Sequence, residues 1–255
     1  MTRPRVCILK ADGTNCEIET AHAFEVAGAS AEIVPMNLLR WRDRELATYD
    51  ILVAPGGFSY GDDVTSGKVM AVELMSFLAD DMREFAASGK PILGVCNGFQ
   101  VLVRTGLLPF GELGATRATL STNESGRFEC RWVEMSLEGS AEIVGGLPPR
   151  VQLPAAHAEG RFFADDGTLR RIEEAGLVAL RYVDESGAAT QEYPANPNGS
   201  LQAIAGLTDP SGRVLGLMPH PERFVSPSQH PDRSSLPADA KPHGLALIER
   251  IVEIA

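Results

Sequence analysis

The chain has 255 residues, of which 44% are hydrophobic and 22% are charged, and its formal net charge is -11 at pH 7. No stretch approaches the about 18 to 20 consecutive apolar residues that cross a bilayer, so we expect a soluble protein without a membrane partner. The acidic balance argues against nucleic acid as the main partner, because phosphate binding needs a basic face.

The first half of the sequence alternates between short apolar runs and helix-like stretches. Strands are predicted over residues 5–9, 31–35, 51–54 and 92–95. Helices are predicted over residues 16–27, 69–87 and 99–105. Such alternation is typical of a parallel sheet with helices on both faces.

Beyond Gly114 the pattern changes to strand-like pieces separated by Gly, Asn and Pro turns. The pieces are residues 128–135, 177–183 and 214–218, followed by a predicted terminal helix over residues 244–254. Residues 224–243 are rich in Pro, Ser and charge, which predicts a mobile surface loop. We expect one domain over residues 1–255 with an α/β, flavodoxin-like three-layer sandwich. Its mostly parallel central sheet is extended by antiparallel strands in the second half.

The four cysteines form no C-x-x-C pair and show no metal-ligand spacing with histidine, so we expect neither a metal site nor a disulfide framework. Cys7, Cys16 and Cys130 are expected to be packing residues. The chain begins with a strand-like run and shows no signal-peptide pattern, which predicts a cytoplasmic protein with reduced thiols.

Cys96 has a different setting. It follows an apolar run, lies between Gly94 and Gly98, and precedes a helix-like stretch. This is the form of a nucleophile elbow with cysteine in place of serine, in which small flanking residues permit a strained strand-to-helix turn. At a helix N-terminus the dipole favours the thiolate, so we predict that Cys96 is a nucleophile.

A thiolate nucleophile needs a base, and the base needs a group that orients it. His220 follows another apolar run, and Glu222 lies two residues later across the rigid Pro221. We predict that Cys96, His220 and Glu222 form a catalytic triad. His157 is an alternative base that the pattern alone does not dismiss.

Pro55-Gly56-Gly57-Phe58 follows the strand predicted over residues 51–54. Glycine lets backbone N–H groups approach a developing oxyanion, so the N–H groups of Gly57 and Asn97 are the predicted oxyanion donors. In open α/β sheets such groups meet at the carboxyl ends of the strands. No phosphate-binding loop or G-x-G-x-x-G motif occurs, so the chain lacks a nucleotide-site motif of its own.

Taken together, Pro-Gly-Gly, Gly-x-Cys-x-Gly-x-Gln and Pro-His-Pro-Glu resemble the class I glutamine amidotransferases, which release ammonia from glutamine with Cys, His and Glu. Five short stretches, spread over most of the chain, narrow the resemblance, because they are similar to the glutaminase part of phosphoribosylformylglycinamidine synthase. These stretches are residues 56–62, 95–100, 126–130, 157–162 and 193–200.

The resemblance implies that glutamine is the substrate and that Gln100 helps to hold its α-amino or α-carboxyl end. It also implies a separate subunit of an enzyme of purine biosynthesis, which passes ammonia to a large synthetase subunit. No cofactor is expected in this chain, whereas ATP and Mg²⁺ are expected on the synthetase. The resemblance leaves open whether a third small subunit takes part.

Two other functions remain open from the sequence. A cysteine hydrolase on the same sheet, such as a γ-glutamyl hydrolase or a small peptidase, would need no partner. A scaffold with structural residues in the triad positions would have no activity at all.

Overall fold

A computed structural model describes residues 2–62, 64–234, 236–237 and 239–255. The strands in this part of the chain are β1 (Arg5–Lys10), β2 (Ser30–Pro35), β3 (Ile51–Ala54), β4 (Ile92–Val95), β5 (Ala118–Ser121), β6 (Glu129–Leu137), β7 (Arg150–His157), β8 (Arg161–Ala164), β9 (Val178–Tyr182), β10 (Ile204–Thr208) and β11 (Val214–Leu217). The α-helices are α1 (Glu17–Val26), α2 (Met36–Arg40), α3 (Lys68–Phe77), α4 (Ala79–Ala87), α5 (Asn97–Arg104), α6 (Asp166–Glu174) and α7 (His243–Glu253). None of these helices is long and apolar enough to cross a membrane.

Within the described residues, the central sheet has nine strands in the order β2-β1-β3-β4-β11-β10-β9-β6-β7. The first five strands are parallel to one another, and the next four extend the sheet in antiparallel pairs. Strands β5 and β8 form a separate antiparallel pair. Helix α1 packs against α7, and α3 packs against α5. The predicted α/β sandwich with an antiparallel extension is confirmed.

Burial explains which strands lie in the middle of the sheet. Every residue of β3, β4 and β11 is buried, as expected for parallel strands covered by helices on both faces. Strand β7, at the sheet edge, instead alternates buried and partly exposed residues. It also contains Pro154, which an edge strand tolerates because one side of its backbone needs no ladder hydrogen bonds.

The single long helix predicted over residues 69–87 is wrong, because the chain forms α3 and α4 with a break at Leu78. Leu78 leaves the helical conformation (φ -130°, ψ 14°) and its side chain is fully buried. The break lets α3 bury Met70 and Leu74 while α4 buries Met82 and Phe85. No glycine or proline marks this position, so the sequence carries no breaker signal there.

The predicted mobile loop over residues 224–243 is wrong for its first part. Phe224 is buried and meets Trp132 edge-on, with ring centroids 5.0 Å apart. Ser226 and Gln229 form a capping box, and the Nε2 atom of His230 lies 3.1 Å from Oε1 of Gln152. The start of the segment is therefore packed against β6 and β7. Ser235 and Ala238, later in the same segment, lie outside the described residues.

Strand pairing brings the predicted site together. Strands β4 and β11 are adjacent and parallel, with Val95 opposite Leu217, and the N–H of Cys96 donates to the carbonyl of Leu217 at 2.8 Å. The residues that follow these strands therefore meet at one edge of the sheet. Gly56 and Gly57, which follow the neighbouring strand β3, lie at the same edge.

The contact between α5 and β3 gives a stability prediction. A Cβ atom on Gly98 would lie 1.8 Å from the carbonyl oxygen of Ala54. We expect Gly98→Ala to lower the free energy of unfolding by about 3 kcal/mol or more, because overpacking against backbone cannot be relieved by a rotamer change. Urea unfolding would measure this change.

Gly89→Ala is the matched control. Its Cβ would meet nothing within 4 Å, and only its positive φ of 75° opposes the substitution, which costs about 1 kcal/mol. If Gly98→Ala were no more destabilising than Gly89→Ala, the close approach of α5 to β3 would be wrong.

Candidate active site

Cys96 occupies a strained turn between β4 and α5. Its backbone has φ 52° and ψ -105°, a conformation that costs energy for any residue with a side chain. The turn requires small neighbours, because a Cβ on Gly94 would lie 2.8 Å from the carbonyl oxygen of Gly98. The elbow geometry predicted from the sequence is present. It places the sulfur directly before the first turn of α5, where the helix dipole favours a negative charge.

His220 and Glu222 form a buried pair directly after β11. The imidazole Nδ1 lies 2.5 Å from Oε1 of Glu222, and both residues are at most 2% exposed. This contact assigns the Nδ1 proton to the bond with the carboxylate and leaves Nε2 as the reactive nitrogen. Among the described residues, Nε2 has no hydrogen-bond partner.

The charge of His220 is set by opposing effects. Burial lowers the pKa of His220, but the negative charges of Glu222 and Cys96 outweigh it, so its pKa lies well above the ordinary value. A protonated His220 is therefore favoured, and it has a proton to give. It lies beside Cys96, and a cysteine is nucleophilic as the thiolate.

A cavity of about 300 Å³ opens onto these groups. Its lining includes four predicted site residues, namely Cys96, His220, Gly57 and Gln100. Glu222 lies behind His220 and Asn97 lies beneath the elbow, and neither lines the cavity. The remaining lining residues are Asn15, Cys16, Phe58, Asp62, Ser66, Phe128, Ala156, His157, Ala158, Glu159 and Arg223.

The predicted oxyanion donors come from two different turns. Gly57 follows β3 with φ 135°, and a Cβ there would lie 2.7 Å from the backbone nitrogen of Asn15. Only glycine fits such a close approach. Asn97 is the first residue of α5, where helical N–H groups have no intrahelical partner. Its backbone N–H is therefore available to a ligand.

The side chain of Asn97 is fully engaged beneath the elbow. Its Oδ1 accepts from Ser59 at 2.6 Å, and its Nδ2 donates to Asp62 at 3.2 Å and to Oε1 of Gln100 at 3.1 Å. The Gln100 amide in turn donates to the carbonyl of Glu159. Gln100 keeps one N–H and one lone pair unused by these bonds. Its predicted contact with the substrate remains compatible with this network.

His157, the alternative base, lies in the same cavity but in a different electrostatic setting. Its Nδ1 lies 3.2 Å from Oδ1 of Asn123, and its Nε2 lies 3.4 Å from Nδ2 of Asn198. Burial lowers the pKa of His157 to about 3, and the nearby charge of His220 acts in the same direction. A neutral imidazole whose lone pair faces an amide donor is a weak base. We therefore assign His157 to the structure of the cavity wall.

Cys16, expected to be a packing residue, is in fact part of the cavity wall. Its sulfur accepts a hydrogen bond from Nη2 of Arg223 at 3.2 Å, and Arg223 also donates to Glu19 at 2.9 Å. The sequence signal was its position in the loop after β1, at the same edge as the other site residues. Cys130, also expected to be packed, is exposed, whereas Cys7 is buried as expected.

The neutral state of His157 predicts a pH dependence of stability. Between pH 6.5 and about 3 the unfolded chain binds a proton that folded His157 does not, so stability falls as the pH falls. From pH 6.5 to 5 this amounts to about 2 kcal/mol. We expect His157→Gln to reduce the pH slope of the urea unfolding free energy in this range. His22→Gln, on the exposed face of α1, is the control, and an unchanged slope in His157→Gln would contradict a neutral His157.

Comparisons with known proteins show the family of the chain. A family model described as a CobB/CobQ-like glutamine amidotransferase domain matches residues 3–247. The chain is 44% identical over 232 residues to phosphoribosylformylglycinamidine synthase subunit PurQ of Methanococcus maripaludis, covering 90% of this chain and 86% of that protein. It is 45% identical over 240 residues to the protein of the same name from Treponema denticola, covering 88% and 89% respectively.

The fold is also similar to a solved structure. One chain in the structure of PurLQS from Thermotoga maritima superimposes with a TM-score of 0.75 at 31% identity, and the match covers 99% of both chains. Family model, relatives and solved structure therefore agree over nearly the whole chain. The chain belongs to the glutamine amidotransferases and, within them, to the family of PurQ subunits of phosphoribosylformylglycinamidine synthase.

Proposed function

We propose that this chain is the glutaminase subunit of phosphoribosylformylglycinamidine synthase and acts in purine biosynthesis. It hydrolyses glutamine and delivers ammonia to an ATP-dependent synthetase partner, which converts formylglycinamide ribonucleotide to formylglycinamidine ribonucleotide. The observation that carries this proposal is the buried His220–Glu222 pair beside the Cys96 elbow. The relatives that are named as this subunit match the chain over nearly their whole length.

The first half of the reaction forms a thioester. The Cys96 thiolate attacks the side-chain carbonyl carbon of glutamine, and the carbonyl oxygen becomes an oxyanion held by the N–H groups of Gly57 and Asn97. His220 gives its Nε2 proton to the amide nitrogen as the carbon–nitrogen bond breaks. Ammonia leaves, and a glutamyl thioester remains on Cys96.

The second half regenerates the thiolate. Neutral His220 takes a proton from water, and the resulting hydroxide attacks the thioester carbonyl at the same oxyanion site. Glutamate leaves, its new carboxyl group releases a proton to solvent, and imidazolium and thiolate are restored. Glu222 keeps the imidazole in one tautomer and orientation throughout, which is the role of the buried acid in a catalytic triad.

We assign the binding of ATP and Mg²⁺ to the partner subunits. Its sequence contains no phosphate-binding loop, so ATP and Mg²⁺ are assigned to the synthetase and no cofactor to this chain. The structure named PurLQS supports assembly with a large subunit and a third, small subunit. We further propose that residues 1–255 act as one domain in the cytoplasm. We also propose that the isolated chain has low glutaminase activity until the partner docks, which keeps ammonia from escaping to solvent.

Cys96→Ala separates the two activities of the assembled enzyme. We expect glutamine-dependent synthesis to be lost, because no thioester can form, while synthesis from ammonium salts persists on the partner. Product formation is measured with each nitrogen source. Cys130→Ala, which changes an exposed thiol, is the control and should support both. Loss of both activities in Cys96→Ala would show that Cys96 serves assembly instead.

Glu222→Gln tests the orienting acid. The amide is similar in size but favours the wrong imidazole tautomer, so we expect glutamate release by the assembled enzyme to fall roughly 10²- to 10⁴-fold. Glu129→Gln is the matched control, because Glu129 is also buried but pairs with Arg131 outside the cavity lining. A near-normal rate in Glu222→Gln would remove Glu222 from the triad.

A further inference from the structure

Cys16 makes the triad part of a second cluster. One ligand atom each from Cys16, His220 and Glu222 lies within 4.8 Å of the other two, and all three residues are buried. The sulfur comes from the loop after β1, whereas the other two residues follow β11. The fold alone brings this thiol to the imidazole.

The donor set has the chemistry of a metal site. Thiolate sulfur, imidazole nitrogen and carboxylate oxygen are the ligands of Zn²⁺, which binds them at about 2.0 to 2.3 Å in tetrahedral geometry. Ligand atoms in such a site lie roughly 3.5 Å apart, so modest side-chain rotations close the present cluster around a cation. Cys16 and His220 both line the cavity, which leaves the fourth position open to water.

One buried polar atom in the cluster lacks a partner. Oε2 of Glu222 makes no hydrogen bond within the described residues, although the side chain is almost fully buried. A buried polar atom without a partner is costly, and a bound cation satisfies it directly. This observation is independent of the cysteine and points to the same place.

We propose that Cys16, His220 and Glu222 form an inhibitory site for a thiophilic divalent cation such as Zn²⁺ or Cd²⁺. Binding removes the imidazole from catalysis, because Nδ1 exchanges its hydrogen bond to Glu222 for a bond to the metal and the ring is no longer held in its catalytic orientation. The metal displaces the thiol proton of Cys16 and the proton held between imidazole and carboxylate, and both protons go to solvent. Only the inhibition rests on the proposed glutaminase function, since the binding itself does not.

Arg223 opposes the cation. Its Nη2 lies 3.2 Å from the Cys16 sulfur, and its Nε lies 3.8 Å from Oε1 of Glu222. A guanidinium there repels a divalent ion and donates a hydrogen bond to the Cys16 sulfur, which the metal must displace. Its side chain is 37% exposed and held outward by Glu19, so it can swing away, at an energetic cost to binding. Removing this charge should therefore tighten metal binding.

The test uses Cd²⁺ and a variant that cannot catalyse. In the full chain with Cys96→Ala and Cys130→Ser, the thiols that remain are Cys16 and Cys7, and Cys7 lies in the core. We expect one Cd²⁺ per chain, with cadmium–thiolate absorption in the ultraviolet and an affinity measured by equilibrium dialysis. Adding Cys16→Ser should abolish the absorption and weaken binding by at least about tenfold. Equal absorption and affinity with and without Cys16 would overturn the proposal.

Two further measurements guard against a folding artefact. Zinc K-edge absorption of the Cys96→Ala, Cys130→Ser protein should show one sulfur among nitrogen and oxygen ligands, and a shell without sulfur would contradict the site. Arg223→Gln in the same background should bind Cd²⁺ more tightly, and weaker binding would contradict the cluster geometry. In the assembled wild-type enzyme, Cd²⁺ should inhibit glutamine-dependent synthesis more than ammonia-dependent synthesis. Cd²⁺ binding without this difference would overturn the inhibitory role of the site, whereas glutamine-dependent synthesis in Cys96→Ala tests the glutaminase function separately.

Discussion

The parallel pairing of β4 with β11 is the contact on which the site depends. It places Val95 opposite Leu217 and ties the Cys96 N–H to the Leu217 carbonyl. Cys96 follows one strand and His220 follows the other, so a shift of register by one residue would turn their side chains to opposite faces. Neither strand has an exposed residue, and the packing of helices on both sides fixes the register.

The same burial that fixes the strands sets the chemistry of the two histidines. His157 and His220 line one cavity, yet the pKa of the first is lowered and that of the second is raised. Burial is the largest effect at His157, whose ring nitrogens face the amide groups of Asn123 and Asn198. Glu222 instead offers His220 a carboxylate at hydrogen-bond distance, which favours the charged ring. Dry surroundings strengthen both effects, because charges are poorly screened away from water.

Much of this arrangement could be predicted from sequence, because it depends on local patterns. Apolar runs locate β1, β3, β4 and β11, and flanking glycines locate the elbow. The break at Leu78 could not be predicted, because it follows from how two helices pack and not from a breaker residue. Strand β7 was not predicted; it contains Pro154, and the edge position that tolerates a proline is visible only in the folded sheet.

The residues of the cavity wall also differ in whether a local sequence pattern or only the folded chain reveals them. The triad was predicted because each member has a local context, a glycine-flanked turn for Cys96 and a rigid Pro between His220 and Glu222. Cys16 has no such context, and its contact with Arg223 is made only by the fold. The sequence left His157 open as a base. Its ring nitrogens face Asn123 and Asn198, which are distant in the chain, and these contacts favour a structural role.

The central claim is that Cys96, and not the neighbouring thiol Cys16, is the nucleophile. Treating the chain with a glutamine-analogue electrophile and mapping the adduct by peptide mass spectrometry tests this claim most directly. We predict one adduct per chain, on Cys96, with Cys16 unmodified because Arg223 occupies its sulfur and no elbow exposes it. An adduct on Cys16, or equal labelling of both, would contradict the account.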